Sequence, residues 1–266
     1  MFMNANRFSL LFCIVFTATQ GADAQDYKFS VVGTDFDFIT AKDPSAFAKL
    51  QFVEENKAEM PDKRGNAPLL QQAYVFEASF TDTTKVRIFI DGDFESRTAA
   101  ETEAMRYVHG LGTLPTALRQ GVSRLVVHQG GPDTTAFSDE GLIVMYADNA
   151  TKRISTHDLE ETIFHESVHA AWDKKHANSK GWKQAQAADD AFVTVYASKN
   201  PRHEDLAESV LFAYTLLHHP ERIDETARKR ISATIPNRIK YVVELIPPGK
   251  PIFYELTKDG KPPGRN

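Results

Sequence analysis

Two histidines, His165 and His169, stand four residues apart, with Glu166 next to the first, in the run His165-Glu166-Ser167-Val168-His169. On an α-helix that spacing puts both imidazoles on one face, where they can meet a single ion. Neutral imidazole nitrogens suit zinc at about 2.0–2.1 Å, and a catalytic zinc site takes three protein ligands and a water. Glu166 lies close by on the helix surface, placed to take the proton of such a water. The metal lowers the water's pKa enough for a carboxylate to act as base at neutral pH. The competing reading is a surface helix with two solvated histidines. Ile163, Phe164, Val168 and Trp172 weigh against it, because they half-bury the helix and a half-buried histidine needs a partner. Ser155, followed three residues later by Asp158, marks the expected start of this helix before Leu159.

A third ligand must come from elsewhere. The metzincin extension requires Gly at 172 and His at 175, and Trp172 and Lys175 exclude it. His176 falls one position late and reads as a solvated residue at the helix end. Asp173, one turn beyond His169, reads as solvated rather than bonded to a histidine. Residues 203–217 read as a second helix, packed through Leu206, Val210, Leu211 and Ala213, with Glu204 and Glu208 sharing a face. Asp205 lies off that face. Two acids on one face are ordinarily a solvated stripe. Beside the histidine helix, one can complete a ligand set while the other orients a histidine. His128, His157, His218 and His219 read as structural or surface groups.

The run Tyr196-Ala197-Ser198-Lys199-Asn200-Pro201-Arg202-His203-Glu204-Asp205-Leu206-Ala207-Glu208, taken with H-E-x-x-H, resembles the gluzincin zinc metallopeptidases. Within them it looks most like the catalytic domain of anthrax lethal factor and its smaller bacterial relatives. The resemblance is concentrated in residues 155–215, with a vaguer echo in the preceding strand pair. It implies a zincin-like fold, Glu204 as the third Zn2+ ligand, Glu208 as its supporting carboxylate and Tyr196 as hydrogen-bond donor to the oxyanion. One residue more than the family pattern separates Tyr196 from Glu204, which leaves His203 as a second candidate for that role. The implied activity is that of a zinc endopeptidase acting on a protein or peptide substrate. A zinc amidase acting on cell-wall peptide links and a catalytically silent zincin-like binding protein are the alternatives. Residues 142–146 precede the metal helix, where zincins place an edge strand that pairs with extended substrate; the other reading is a plain core strand.

The elements that must position these groups follow a simple order. Strands are expected at 27–39, 86–90, 125–128 and 142–146, with helices at 43–53, 98–109 and briefly up to 120. Gly110, Gly112 and Pro115 read as breaks. Helices then follow at 156–176, 183–198, 203–218 and 220–234, with 241–246 either strand or helix. Strands first and helices later give an α+β class: a mixed sheet lobe packed on the metal-binding helix, then a helical lobe. The domain is expected over 25–246, with a loosely ordered polar tail at 247–266.

In a chain of 266 residues, 42% hydrophobic and 25% charged residues describe an ordinary globular protein, long enough for one sizeable core or two lobes sharing a cleft. A formal net charge of -5 and the lack of any basic block give no footprint for nucleic acid. Residues 1–24 follow the export-signal pattern: Arg7, an apolar run over 8–16, and Ala22-Asp23-Ala24. Cleavage after Ala24 would start the mature chain at Gln25. The only cysteine, Cys13, lies inside that run without the small residue before it that a lipid-anchor site needs. The expectation is a secreted or periplasmic bacterial protein with no disulfide and no permanent membrane anchor. Oligomeric state is left open.

Overall fold

A computed structural model describes residues 27–65, 68–259, 261 and 263. The expected signal peptide and its cleavage site lie outside the described residues. Six strands form one sheet: β1 (Phe47–Glu59), β2 (Leu70–Phe80), β3 (Lys85–Asp91), β4 (Arg124–His128), β5 (Phe137–Asp139) and β6 (Leu142–Tyr146). Their order is β1-β2-β3-β4-β6-β5. The β1–β2, β2–β3 and β5–β6 pairs are antiparallel, whereas β3–β4 and β4–β6 are parallel. The sheet is therefore mixed and the class α+β, as the segment order leads one to expect.

The parallel β3–β4 pair needs a crossover, made by α1 (Arg97–Thr113) and α2 (Thr116–Arg119). After β6 come α3 (Ala147–Thr156), α4 (Leu159–Trp172), a π-helical turn (Asp173–Ala177), α5 (Lys180–Ala188) and α6 (Val195–Lys199). Then follow α7 (Asp205–His218), a 3-10 turn (Pro220–Arg222), α8 (Glu225–Thr234) and α9 (Pro236–Leu245). Strands β4 and β6 are apolar almost throughout because both faces are covered. Ile88, Ile90, Leu125, Val127, Ile143 and Met145 join the main core with α1, α4 and α7. Phe89, Val126, Val144 and Tyr146 form a smaller cluster on the other face, where the guanidinium groups of Arg87 and Arg124 lie over Phe89 and that of Arg64 over Tyr146.

Helix α4 is held in this core by close approach as much as by bulk. A Cβ on Gly110 would stand 2.6 Å from Cδ1 of Ile163, so a side chain there would have to displace the tip of Ile163 where α1 packs on the histidine helix. Gly110 and Gly112 are therefore helical packing positions inside α1, not breaks. Other expectations also change. The helix expected at 43–53 is the start of β1, and β2 adds a long strand after it. Residues 27–39 form no ladder strand; they contain a 3-10 turn at Val31–Gly33 and one isolated bridge from Tyr27 to Thr194. The expected 156–176 helix is α4 with the π-helical turn that follows it, starting at Leu159; a separate helix, α3, ends just before it, with His157 at a φ of 63° as its left-handed cap. Ser155 sits in the last turn of α3, bonded to the Lys152 carbonyl, and Asp158 precedes α4 without a side-chain cap. The expected 183–198 helix is interrupted between α5 and α6, and 241–246 belongs mostly to α9. Part of the expected loose tail is docked: Thr116 donates its N–H to the Ile252 carbonyl, and Ile252 and Phe253 pack on the core. Among the described residues no helix is long and apolar enough to cross a membrane.

Candidate metal centre

Helix α4 presents His165 and His169 toward the start of α7, and three candidate donor atoms converge there. His165 Nε2 and His169 Nε2 are 3.2 Å apart, and Glu204 Oε2 is 3.2 Å from His169 Nε2 and 3.4 Å from His165 Nε2. Among the described residues this is the one group of three such side chains that could share a metal ion. His165 is buried, while His169 and Glu204 are half-buried at the floor of a cleft of about 880 Å³. Burial pushes the His169 imidazole toward the neutral form, but hydrogen bonds with Asp173 and Glu204 outweigh it and raise its pKa to about 10. Burial likewise opposes ionisation of Glu204, and the two histidines overcome it, holding the carboxyl well below the usual range. Together these three side chains offer the donor atoms to hold one metal cation.

The groups behind the donors are well defined. Asp173 Oδ2 lies 2.8 Å from His169 Nδ1, so Asp173 is bonded to a histidine and not merely solvated. Glu208 is fully buried, with its Oε1 3.5 Å from His165 Nδ1. That carboxylate accepts from Ser30 Oγ (2.6 Å), the Val31 N–H (2.8 Å) and Thr194 Oγ1 (2.7 Å). Burial raises the Glu208 pKa against these bonds and the charge of His165. Thr194 also caps α6 by accepting from the Ala197 N–H. Through it, Glu208 locks the short helix that carries Tyr196.

Tyr196 donates to Glu204 Oε1 at 3.0 Å, with 38% of the residue exposed to the cleft. Its phenol is pushed well above its ordinary pKa by burial and the Glu204 charge, so it stays protonated as a donor. His203 lines the same cleft, but it is exposed and its ring has no hydrogen bond among the described residues. Glu166 faces the cleft one residue from His165, and its Oε2 accepts from Ser138 Oγ at 2.6 Å. Ser138 belongs to β5, the edge of the sheet nearest α4. Strand β6 is interior, so the edge beside the histidines is β5, not residues 142–146.

All seven sequence-derived positions thus border one cleft or directly support it. Sequence reasoning missed Ser138, Asp173 as a partner, Ser30 and Thr194. Asp173 alone had a local signal, its four-residue spacing from His169. His176, expected in solvent, is buried against Trp172 and bonded through Nδ1 to Tyr241 Oη at 2.7 Å, and burial lowers its pKa to about 4. Comparison with family models, curated proteins and solved structures returned no match to this chain.

Proposed function

We propose that this protein is an exported zinc-dependent endopeptidase of gluzincin type with a zincin-like fold. The observation that carries the reading is the donor triangle of His165, His169 and Glu204. Three donors at 2.0–2.1 Å from one tetrahedral ion stand about 3.3–3.4 Å apart, and the separations here are 3.2, 3.2 and 3.4 Å. Two imidazoles and one carboxylate are also a donor set that zinc favours. When bound, zinc supplies a Lewis acid that lowers the pKa of water and polarises a carbonyl.

The chain's own residues divide the remaining work. Glu166 takes a proton from the attacking water and passes it to the leaving amine nitrogen. Ser138 fixes that carboxylate in place. Tyr196, protonated and half-exposed, donates to the oxygen that gains negative charge as the carbonyl is attacked. Asp173 holds the His169 imidazole through a hydrogen bond, and the buried Glu208 carboxyl stands 3.5 Å behind the His165 imidazole. The free edge of β5 beside Glu166 suits an extended peptide backbone, which favours a peptide substrate over other amides.

Glu166→Gln tests this directly. The variant should retain one zinc per chain by metal analysis and lose cleavage of a degenerate peptide library read by mass spectrometry. Cleavage equal to the wild type would remove Glu166 from the mechanism. Release of fragments from cell-wall material with no peptide cleaved would favour the amidase. Zinc binding without turnover on either would leave a binding protein.

A further inference from the structure

We propose that Lys63 anchors a carboxylate of the substrate close to the cleaved bond, so that the enzyme selects acidic peptides; this rests on the hydrolase reading above. Lys63 lies in the loop after β1 and borders the same cleft as Glu166. Its Nζ donates to Thr135 Oγ1 at 2.8 Å and to the Ala136 carbonyl at 3.1 Å, and it stands 5.4 Å from the centre of the Phe137 ring. An ammonium has three donors, so these two neutral acceptors fix its position and leave one hydrogen for a ligand.

Apart from Glu166, which accepts only from the Ser138 hydroxyl, the other charges of the cleft are already matched. Asp158 pairs with Arg153 at 3.1 Å, Asp173 with His169, and Glu204 with both histidines. Asp62, next in sequence to Lys63, is turned onto Arg64 at 2.6 Å and onto Tyr146 Oη at 3.0 Å. Among the described residues no carboxylate lies within ion-pair distance of Lys63. The loop itself is tied down, because the Lys63 N–H donates to Tyr146 Oη at 3.1 Å. This cation is held on a fixed mount and faces the cleft with no carboxylate in contact; the charge of Glu166 reaches it only across the cleft.

Strand β5 supplies the scale. The Ala136 carbonyl that holds Nζ lies two residues before Ser138, whose hydroxyl holds Glu166. Two residues of strand span about 6.7 Å. A peptide running along that edge therefore brings a carboxylate to Lys63 from about two residues away from the bond at Glu166. Either an acidic side chain or a free C-terminus at that distance carries the required group.

The test uses zinc-loaded protein and peptide pools in which Glu or Gln is fixed at each position in turn, made with free and with amidated C-termini. The readout is the Glu/Gln ratio of kcat/KM. The wild type should show a ratio of about ten or more at one register, Lys63→Arg should keep it, Lys63→Met should bring it near one, and Lys63→Glu should take it below one. Preference for the free acid over the amide, in place of the side chain, would assign the carboxylate to the substrate's terminus. A wild-type ratio near one everywhere, with no preference for the free acid, or a preference unchanged in Lys63→Met, overturns the proposal. Fluorescence anisotropy of the same labelled pools on Glu166→Gln reads the preference without turnover. An enzyme that cleaves nothing but binds Glu pools or free-acid pools more tightly refutes the hydrolase and keeps the Lys63 site. Equal binding of all pools refutes the site.

Discussion

Replacing Glu204 by alanine should abolish zinc-dependent stabilisation while leaving a folded protein. The size follows from linkage. A ligand present at a thousand times its Kd stabilises the native state by about 4.1 kcal/mol. In a domain of this size each kcal/mol moves the midpoint by roughly 2–4 °C, so zinc should raise the wild-type Tm by roughly 8–16 °C. Without Glu204 only two imidazoles remain, 3.2 Å apart, and the anionic donor is lost. Binding a thousandfold weaker cuts the gain at the same zinc to about RT ln 2, or roughly 0.4 kcal/mol, one or two degrees. The metal-free variant should also melt a few degrees below the metal-free wild type. Glu204 accepts from Tyr196 and both histidines, and breaking a partly buried charged network costs about 1–3 kcal/mol. Scanning fluorimetry of chelator-stripped protein against zinc, with stoichiometry by metal analysis, gives both numbers. An undiminished zinc shift in Glu204→Ala, or no shift in the wild type at saturation, would refute the assignment of the third donor.

Two further substitutions probe the surroundings of this cluster. Tyr196→Phe should lower kcat by roughly 10²–10³ with little change in KM, as expected for a lost oxyanion donor, and should leave bound zinc unchanged; the same loss in His203→Ala instead would transfer the role. Glu161, four residues before His165, is buried, and burial raises its pKa to about 8 while the N–H groups of Phe38 and Ile39 oppose the shift. A carboxyl whose pKa is higher in the folded state contributes its full stability below its ordinary value near 4.5 and loses it as pH rises toward 8, at most about 1.4 kcal/mol per pH unit. Glu161→Gln keeps the acceptor for Phe38 and removes the ionisation, so its Tm should fall less steeply between pH 5 and 8; parallel curves for the two proteins would show that Glu161 does not titrate in that range.

What was legible in the sequence is what one helix decides alone. His165, Glu166 and His169 needed only a four-residue spacing and an apolar flank. Glu204 and Glu208 needed a second helix, whose own pattern was clear, and the resemblance that assigned their roles. Strand β1 misled because its cap-like Asp43-Pro44 precedes apolar residues at helical spacing, Ala46, Leu50 and Val53. Its real alternation runs through half-buried Glu54 and Asn56 and is broken by irregularities at Phe47/Lys49 and Phe52/Glu54. A period carried by polar residues on an edge strand leaves no hydrophobic signal. Strand β5 is three residues long, too short for any period, yet it brings Ser138 to Glu166.

Residues 27–39 show the deeper limit. Their loose alternation resembles a strand, but the backbone donors of Val31, Phe38 and Ile39 go to side chains far along the chain, and none of the segment joins a strand ladder. The Val31 N–H meets Glu208 on α7, and the Phe38 N–H meets Glu161 on α4. Tyr27 and Phe38 pack on Phe212 of α7, at ring separations of 5.2 and 5.0 Å. The segment is a strap across the two helices that carry the candidate metal donors, fastened to each by a buried carboxyl group. Such a carboxylate is costly to bury unless donors meet it, so each acid both needs the strap and fixes where it lies. The spacing of His165 and His169 is set within α4. Their distance to Glu204 depends on α4 and α7 being held together, and the contacts of this strap, some 120 to 180 residues apart in sequence, are one of the things that hold them.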